Sequence, residues 1–190
     1  MDNTKERHTK VKKILLLIIV LISACKDQSY PDDDNFRAWG IGAAISYHFP
    51  AMVIDAYGVN YSEDWTSIML PYGNLINSTR LNLERMRGYS YPEYDGYQLP
   101  LHGLINFKPS QIGLGEKTLP DELYIYWKPF NSQVKYVTVV DVTSEIKAAM
   151  TKSYPDPSWR LKGETCYQTD FIFGLLPDGR AKLWLRGCRI

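Results

Sequence analysis

The C-terminal segment restricts the fold most strongly, because only one hairpin register sorts its side chains onto two distinct faces. Pro177-Asp178-Gly179 separates two apolar runs, and a glycine readily adopts the left-handed conformation that closes a three-residue loop. With that loop, Phe171 pairs with Leu185. Asp170 then pairs with Arg186, so apolar and charged side chains lie on opposite faces, whereas a two-residue loop would pair Phe171 with Arg186 and mix them. We predict a three-residue hairpin loop between two strands, Tyr167–Leu175 and Arg180–Gly187.

Other strand-like segments precede this hairpin. They are short, and several are rich in the aromatic and β-branched residues that favour strands. Asn131-Ser132 lies between two of them and predicts a second hairpin. The predicted strands are Trp39–Tyr47, Met52–Tyr61, Leu104–Lys108, Leu123–Phe130 and Val134–Val142.

One helix is predicted after the second hairpin. Thr143 can cap its N-terminus, Glu145 in its first turn favours the helix dipole, and Pro155 ends it after about Ser153. Strands and helices do not alternate, so we expect a mainly β (α+β) fold: a single antiparallel, sandwich-like β domain with one short helix. The least regular stretch, Ser62–Gly103, predicts long loops.

The N-terminus has the three-part order of a secretory signal. Residues 1–13 are polar and basic, Ile14–Ile22 is uninterrupted and apolar, and small residues follow. Ile14 to Ala24 would reach roughly 16 Å as a helix, which is too short for a hydrocarbon core of about 30 Å. The segment therefore predicts a cleaved leader rather than a membrane-spanning helix.

The leader ends in Leu21-Ile22-Ser23-Ala24-Cys25, which resembles the bacterial lipobox. We expect Cys25 to become the lipidated first residue of the mature chain, with fatty acyl chains such as palmitate that hold it at a membrane. A plain signal peptide with an incidental cysteine is the alternative. Lys26 stands where an aspartate favours inner-membrane retention, so the expected location is the periplasmic face of the outer membrane. The predicted organisation is a signal peptide at 1–24, a lipidated N-terminus and tether at 25–36, and a globular domain at 37–190.

The net charge and the absence of known catalytic motifs exclude several classes of function. The whole chain has a formal charge of +1, but residues 25–190 contain 17 Lys or Arg and 19 Asp or Glu, which argues against nucleic acid as a partner. No serine-hydrolase elbow, zinc-protease helix or phosphate-binding loop is present in the sequence. Ser144 and Lys147 match the spacing of penicillin-binding enzymes, but helix capping explains Ser144 better. We expect neither catalysis, nor a metal, nor a cofactor.

Two cysteines follow Cys25. Cys166 and Cys188 have neither redox-motif nor zinc-site spacing. Export favours a disulfide, yet in the predicted hairpin an ideal ladder sets them diagonally, about 7–8 Å apart. A bond would need a bulge or a frayed end. A disulfide and two buried thiols therefore both remain open.

Two groups of residues are candidates for binding a partner. Lys182, Trp184 and Arg186 share the charged face of the last strand, and an exposed tryptophan between cations is a good interface anchor. Burial of Trp184 under another layer is the alternative. Four tyrosines in the irregular stretch resemble binding-loop composition, and simple loop packing is their alternative. These are Tyr89, Tyr91, Tyr94 and Tyr97.

Three segments resemble the domain-of-unknown-function 2931 (DUF2931) family of bacterial lipoproteins. They are residues 119–127 (LPDELYIYW), 173–179 (FGLLPDG) and 184–187 (WLRG). The resemblance supplies no catalytic residues. It implies a lipid-anchored, periplasm-facing binding protein, an immunity protein against a phospholipase effector of the type VI secretion system. A structural or assembly lipoprotein of the envelope is the alternative.

Overall fold

The computed structural model describes residues 30–70, 73–89, 91–99, 106–107, 110–111, 118–156 and 164–188. Residues 32–190 form one unit of the chain. Several predicted features lie outside the described residues. They are the signal peptide, Cys25, the first residues of the tether, His102 and most of the strand Leu104–Lys108.

The described residues form twelve strands and two helices. In chain order they are β1 (Gly40–Ile45), β2 (Ala51–Asn60), β3 (Trp65–Leu70), β4 (Asn74–Ile76), α1 (Arg80–Tyr89), β5 (Asn106–Phe107), β6 (Ser110–Gln111), β7 (Glu122–Pro129), β8 (Tyr136–Asp141), α2 (Ser144–Thr151), β9 (Tyr154–Pro155), β10 (Thr165–Cys166), β11 (Asp170–Leu175) and β12 (Ala181–Arg186).

The strands form two sheets and a small ribbon. One sheet has the order β12-β11-β1-β5, and the other has the order β6-β3-β2-β7-β8, with β4 also paired to β2. The predicted mainly β, antiparallel, sandwich-like fold is confirmed. One pairing departs from the antiparallel rule, because β1 runs parallel to β11 with Gly40 beside Asp170.

The closing hairpin has the predicted register. Phe171 pairs with Leu185 and Asp170 with Arg186. Gly179 has φ of +91°, and the Leu176 amide donates to the Arg180 carbonyl at 2.9 Å. The three-residue loop is therefore confirmed.

The predicted helix is also confirmed, as α2. The Thr143 hydroxyl accepts a hydrogen bond from the Ile146 amide at 3.4 Å and caps the N-terminus. The last residue of α2 is Thr151, slightly before the predicted end at about Ser153.

The prediction of long loops over Ser62–Gly103 was wrong in part. β3, β4 and α1 all lie in this stretch. Helix α1 gives little apolar periodicity, because Leu81 is exposed and Met86 alone among its described side chains is buried. Few apolar side chains therefore mark a buried face of this helix in the sequence.

The two sheets pack around Trp39. Its indole is 1% exposed, stacks on Trp65 at 6.1 Å between centroids, and meets the edge of Phe171 at 6.2 Å. Trp65 belongs to the six-stranded sheet and Phe171 to the four-stranded sheet, so one side chain joins the two layers. Gly58 leaves the space for it, because a Cβ there would lie 2.5 Å from the Trp39 ring.

A disulfide joins Cys166 to Cys188, with Cα atoms 5.3 Å apart. The β11–β12 ladder covers only Asp170–Leu175 and Ala181–Arg186, so both cysteines lie beyond its frayed end, where the ideal diagonal spacing does not apply. Gly187 allows this close crossing, because a Cβ there would lie 1.8 Å from the Tyr167 carbonyl oxygen.

Packing begins before the predicted domain boundary at residue 37. Phe36 is 1% exposed and meets the edge of the Tyr167 ring at 5.1 Å. The Asp33 carboxylate accepts hydrogen bonds from the Asn35 amide, the Tyr167 hydroxyl and the Thr165 hydroxyl. The bond from the Asn35 amide, followed by those from Tyr167 and Thr165, lowers the pKa of Asp33. The last residues of the predicted tether are thus part of the domain.

The Trp39 packing predicts opposite effects for two alanine substitutions. Gly58→Ala forces its Cβ into the Trp39 ring and should lower the free energy of unfolding by about 1–3 kcal/mol. The matched control is Gly88→Ala in α1, where no atom lies within 4 Å of the added Cβ and alanine should be more stable than glycine by about 0.5–1 kcal/mol. Urea unfolding followed by tryptophan fluorescence measures both. A Gly58→Ala protein as stable as the wild type would contradict this packing.

Candidate binding surfaces

The tyrosines of the irregular stretch do not form one surface. Tyr97 is 60% exposed, and its ring lies against His48 at 4.4 Å between centroids. Tyr91 is half-buried. The side chain of Tyr89, at the end of α1, lies outside the described residues. Only Tyr97 of the described three is presented broadly to solvent.

Tyr94 corrects the expectation of a four-tyrosine binding loop. It is 5% exposed, and its hydroxyl accepts from the Tyr47 amide at 3.1 Å and donates to the Gln98 carbonyl at 2.8 Å. Burial raises the pKa of Tyr94, so it stays neutral. Its role is to fasten the loop to the end of β1.

The charged face of β12 is also partly occupied by the fold. Trp184 is half-buried, and its ring lies close to Gly174, as does the Leu99 side chain. Arg186 Nε lies 3.8 Å from an oxygen of the buried Asp170 carboxylate. Lys182 is exposed. Leu99 therefore brings the end of the tyrosine loop next to Trp184, but little of the indole is left for a partner.

The weak catalytic matches have structural roles. Ser144 begins α2, and the Lys147 ammonium forms an ion pair with Asp121, whose pKa is lowered by hydrogen bonds from Lys147 and the Tyr61 amide against the opposing effect of burial. His48 Nε2 lies 3.1 Å from the Asp95 carbonyl. In the described part of the chain, no three His, Cys, Asp or Glu side chains are grouped so that they could hold a metal ion.

A polar cleft of about 270 Å³ lies beside the disulfide. Its walls include the Arg37 guanidinium and the carboxylates of Asp156, Glu164 and Asp170. Asp170 is already within reach of Arg186. Three acidic residues and one basic residue line the cleft, which disfavours an anion.

The outer face of the six-stranded sheet is a surface that the sequence analysis missed. Here β2, β7 and β8 carry aromatic and branched side chains on the side opposite the core. Val137 is 50% exposed, Val139 is 48% exposed and Tyr126 is 38% exposed. We call this surface the tyrosine face; it consists of Tyr57, Tyr61, Tyr124, Tyr126, Val137 and Val139.

The rings of the tyrosine face are stacked across neighbouring strands. Tyr57 on β2 lies directly opposite Tyr124 on β7, with centroids 4.7 Å apart and planes within 10°. Tyr126 lies 6.2 Å from Tyr57 at 21°. Cross-strand aromatic pairs of this kind stabilise a sheet and fix the side-chain conformations.

Glu122 holds two of these hydroxyls. Its Oε2 atom accepts from the Tyr61 hydroxyl at 2.6 Å and from the Tyr124 hydroxyl. The bond from Tyr124, followed by that from Tyr61, lowers the pKa of Glu122. The same bonds raise the pKa of Tyr61 and of Tyr124, while burial is the main cause that raises the pKa of Tyr57 to about 12. At neutral pH the cluster is therefore one carboxylate among neutral phenols.

A β-bulge adds a second carboxylate to the same face. The β2–β7 register shifts between Val53 and Asp55, which brings Asp55 opposite Tyr126. The Asp55 Oδ1 atom is buried and has no hydrogen-bond partner among the described residues. Bulges often re-aim side chains at functional sites.

β7 carries large side chains on both faces, and this is the signal that was available. Leu123, Ile125 and Trp127 are buried, while Tyr124 and Tyr126 alternate with them on the outside, between the charged Glu122 and Lys128. Neighbouring aromatic side chains on an outer sheet face indicate a contact surface. The sequence could not tell which neighbours complete the outer face, because that depends on the strand order.

A comparison with protein families finds a match. The family described as "Protein of unknown function (DUF2931)" matches residues 26–189. Neither the curated proteins nor the solved structures include a match. Within the described residues, no helix has the length and apolar character needed to cross a membrane.

The Glu122 contacts predict a change in tyrosine titration. Glu122→Gln removes the carboxylate that favours neutral phenols, so the pKa values of Tyr61 and Tyr124 should fall toward the ordinary value of 10.0. The pKa of Tyr57, raised mainly by burial, should stay near 12. Carbon-13 NMR of labelled tyrosine rings during a pH titration resolves the three. Unchanged values for Tyr61 and Tyr124 would contradict the arrangement.

Proposed function

The chain belongs to the DUF2931 family, and from that premise we propose that it is a lipid-anchored binding protein of the bacterial envelope. Its partner is a protein, a phospholipase effector delivered by a type VI secretion system, which it neutralises at the periplasmic surface of the membrane. The observation that carries this proposal is the tyrosine face, a broad exposed sheet surface of aromatic and aliphatic side chains on a small domain.

The leader supports the proposed location. A basic segment, nine apolar residues and a small-residue site end at Cys25, and the family match starts at the next residue. Such an order puts the whole matched domain immediately after the lipidated cysteine. Several acyl chains, at about 0.8 kcal/mol per buried methylene, give essentially permanent attachment.

The tether supports the choice of partner. A phospholipase acts at the bilayer surface, so an inhibitor fixed to the same surface meets it at a raised local concentration. Tethering can strengthen apparent binding by roughly 100-fold or more without any new contact. Neutralisation by binding requires a complementary surface but no catalytic residues, which fits an exposed face without recognised catalytic motifs.

Protection from the toxin tests the proposal. Cells producing a phospholipase effector of a type VI secretion system from the same organism, directed to the periplasm, should survive with the wild-type chain. Cys25→Ser should lose palmitate labelling and reduce survival on the order of 100-fold, because the effective concentration at the membrane falls. Lys26→Ala keeps the thiol and is the matched control. Colony counts and released fatty acids measure the outcome.

Two results would contradict the proposed function. Equal survival with Cys25→Ser would mean that anchoring plays no part. No protection by the wild-type chain would reject the immunity role and leave the assembly role in its place.

A further inference from the structure

The tyrosine face is too apolar to be an ordinary solvent-facing surface. Its exposed strand residues are Tyr126 on β7 and Val137 and Val139 on β8, and the half-buried Tyr57 lies beside them on β2. The pairs Tyr126–Val137 and Tyr124–Val139 are direct cross-strand neighbours. Adjacent exposed apolar side chains of this kind, unlike scattered ones, mark an interaction site.

The face is also preorganised. Tyr57 stacks on Tyr124, and Glu122 holds the hydroxyls of Tyr61 and Tyr124. Because these rings are already fixed in the free protein, little conformational entropy is lost when a partner binds them. Tyrosine supplies both apolar area and a polar hydroxyl, which suits a protein interface.

Carboxylates dominate the charge of this surface. By strand alternation, Asp55, Glu122 and Asp141 lie on the outer side of the sheet, and Lys128 is the one cation that the described strands place there. Lys128 already donates to the Gln133 side chain. Asp55 is half-buried, and its buried Oδ1 atom has no hydrogen-bond partner in the part of the chain that is described.

The charges also argue against two other occupants. A second copy placed face to face around a two-fold axis would put two surfaces of the same negative charge together, and like charges across an interface are costly. An anionic lipid surface would repel them as well. A basic protein surface is the complementary occupant.

We propose that the tyrosine face is the docking site for the partner protein, and that the partner presents Lys or Arg side chains, flanked by apolar groups, to Asp55, Glu122 and Asp141. This inference rests on the proposed function in taking the partner to be a protein. It adds which surface binds and which chemistry is recognised.

Site-specific photo-crosslinking in intact cells tests the docking site. Benzoylphenylalanine replaces Val137 in the full lipidated chain, and the crosslinked peptide is identified by mass spectrometry. The expected product joins the benzoylphenylalanine at position 137 to a Lys- or Arg-containing peptide of another protein. Replacement of the exposed Lys182, on the four-stranded sheet, is the control and should not give that product.

A pair of variants at one position tests the charge. Val139 is half-exposed opposite Tyr124, so Val139→Lys and Val139→Glu introduce similar chain lengths with opposite charges. Val139→Lys should reduce the crosslinked product on the order of tenfold more than Val139→Glu does. If misfolding caused the losses, Val139→Glu would lose more product than Val139→Lys. Glutamate adds a negative charge to the nearby carboxylates and destabilises the fold, whereas lysine neutralises them. Replacing the crosslinked partner's Lys or Arg with Glu should restore the product with Val139→Lys.

Several outcomes would overturn the inference: a crosslink to a second copy of the chain, a crosslink to lipid, no product at Val137, or equal losses with Val139→Lys and Val139→Glu. The proposed function can fail separately. A basic partner that is not a phospholipase would keep the docking site and reject the immunity role. Toxin protection that survives Val139→Lys would keep the immunity role and reject the docking site.

Discussion

The pairing of β2 with β7 is the constraint on which the structure depends, because β7 carries large side chains on both faces. Its inner side chains, Leu123, Ile125 and Trp127, are buried. The four-stranded sheet covers that side, with Trp39 between the layers against Trp65 and Phe171. A small domain has limited chain with which to cover a second face. The outer side of the same pair therefore stays open to solvent, and the proposed function uses it.

The two ends of the domain chain secure the four-stranded sheet. β1, from the N-terminal part, lies parallel to β11, and the closing hairpin adds β12. Beyond the hairpin ladder, the Cys166–Cys188 disulfide closes a loop whose cross-link should stabilise the fold by about 3 kcal/mol in the chain-entropy account. Next to that disulfide, Tyr167 donates a hydrogen bond to Asp33 and packs against the Phe36 ring. Asp33 and Phe36, at the end of the predicted tether, are thus held next to the disulfide.

Local interactions were predictable from sequence, and long-range pairings were not. The Pro177-Asp178-Gly179 turn and the Thr143 cap follow from neighbouring residues, and both are present. The parallel contact of Gly40 with Asp170 has no local signal. Burial within the loop could not be predicted from sequence either: Tyr94 is buried while Tyr97 is exposed, although both contact the segment that follows β1. The residues of the tyrosine face could not be recognised as neighbours until the order of the strands was known.

Hydroxyl-radical footprinting of the purified full chain tests most directly whether the outer face is open. The account predicts that Tyr126 is oxidised at a rate approaching that of the exposed Tyr97 and that Val137 is oxidised faster than the buried Val53, while Trp127 and the buried Tyr94 are protected. Tyr94 and Tyr97 lie in one loop and calibrate the two limits within the same sample. If Tyr126 and Val137 were as protected as Trp127 in the isolated protein, the face would be covered by the chain itself or by a second copy, and the central claim would be contradicted.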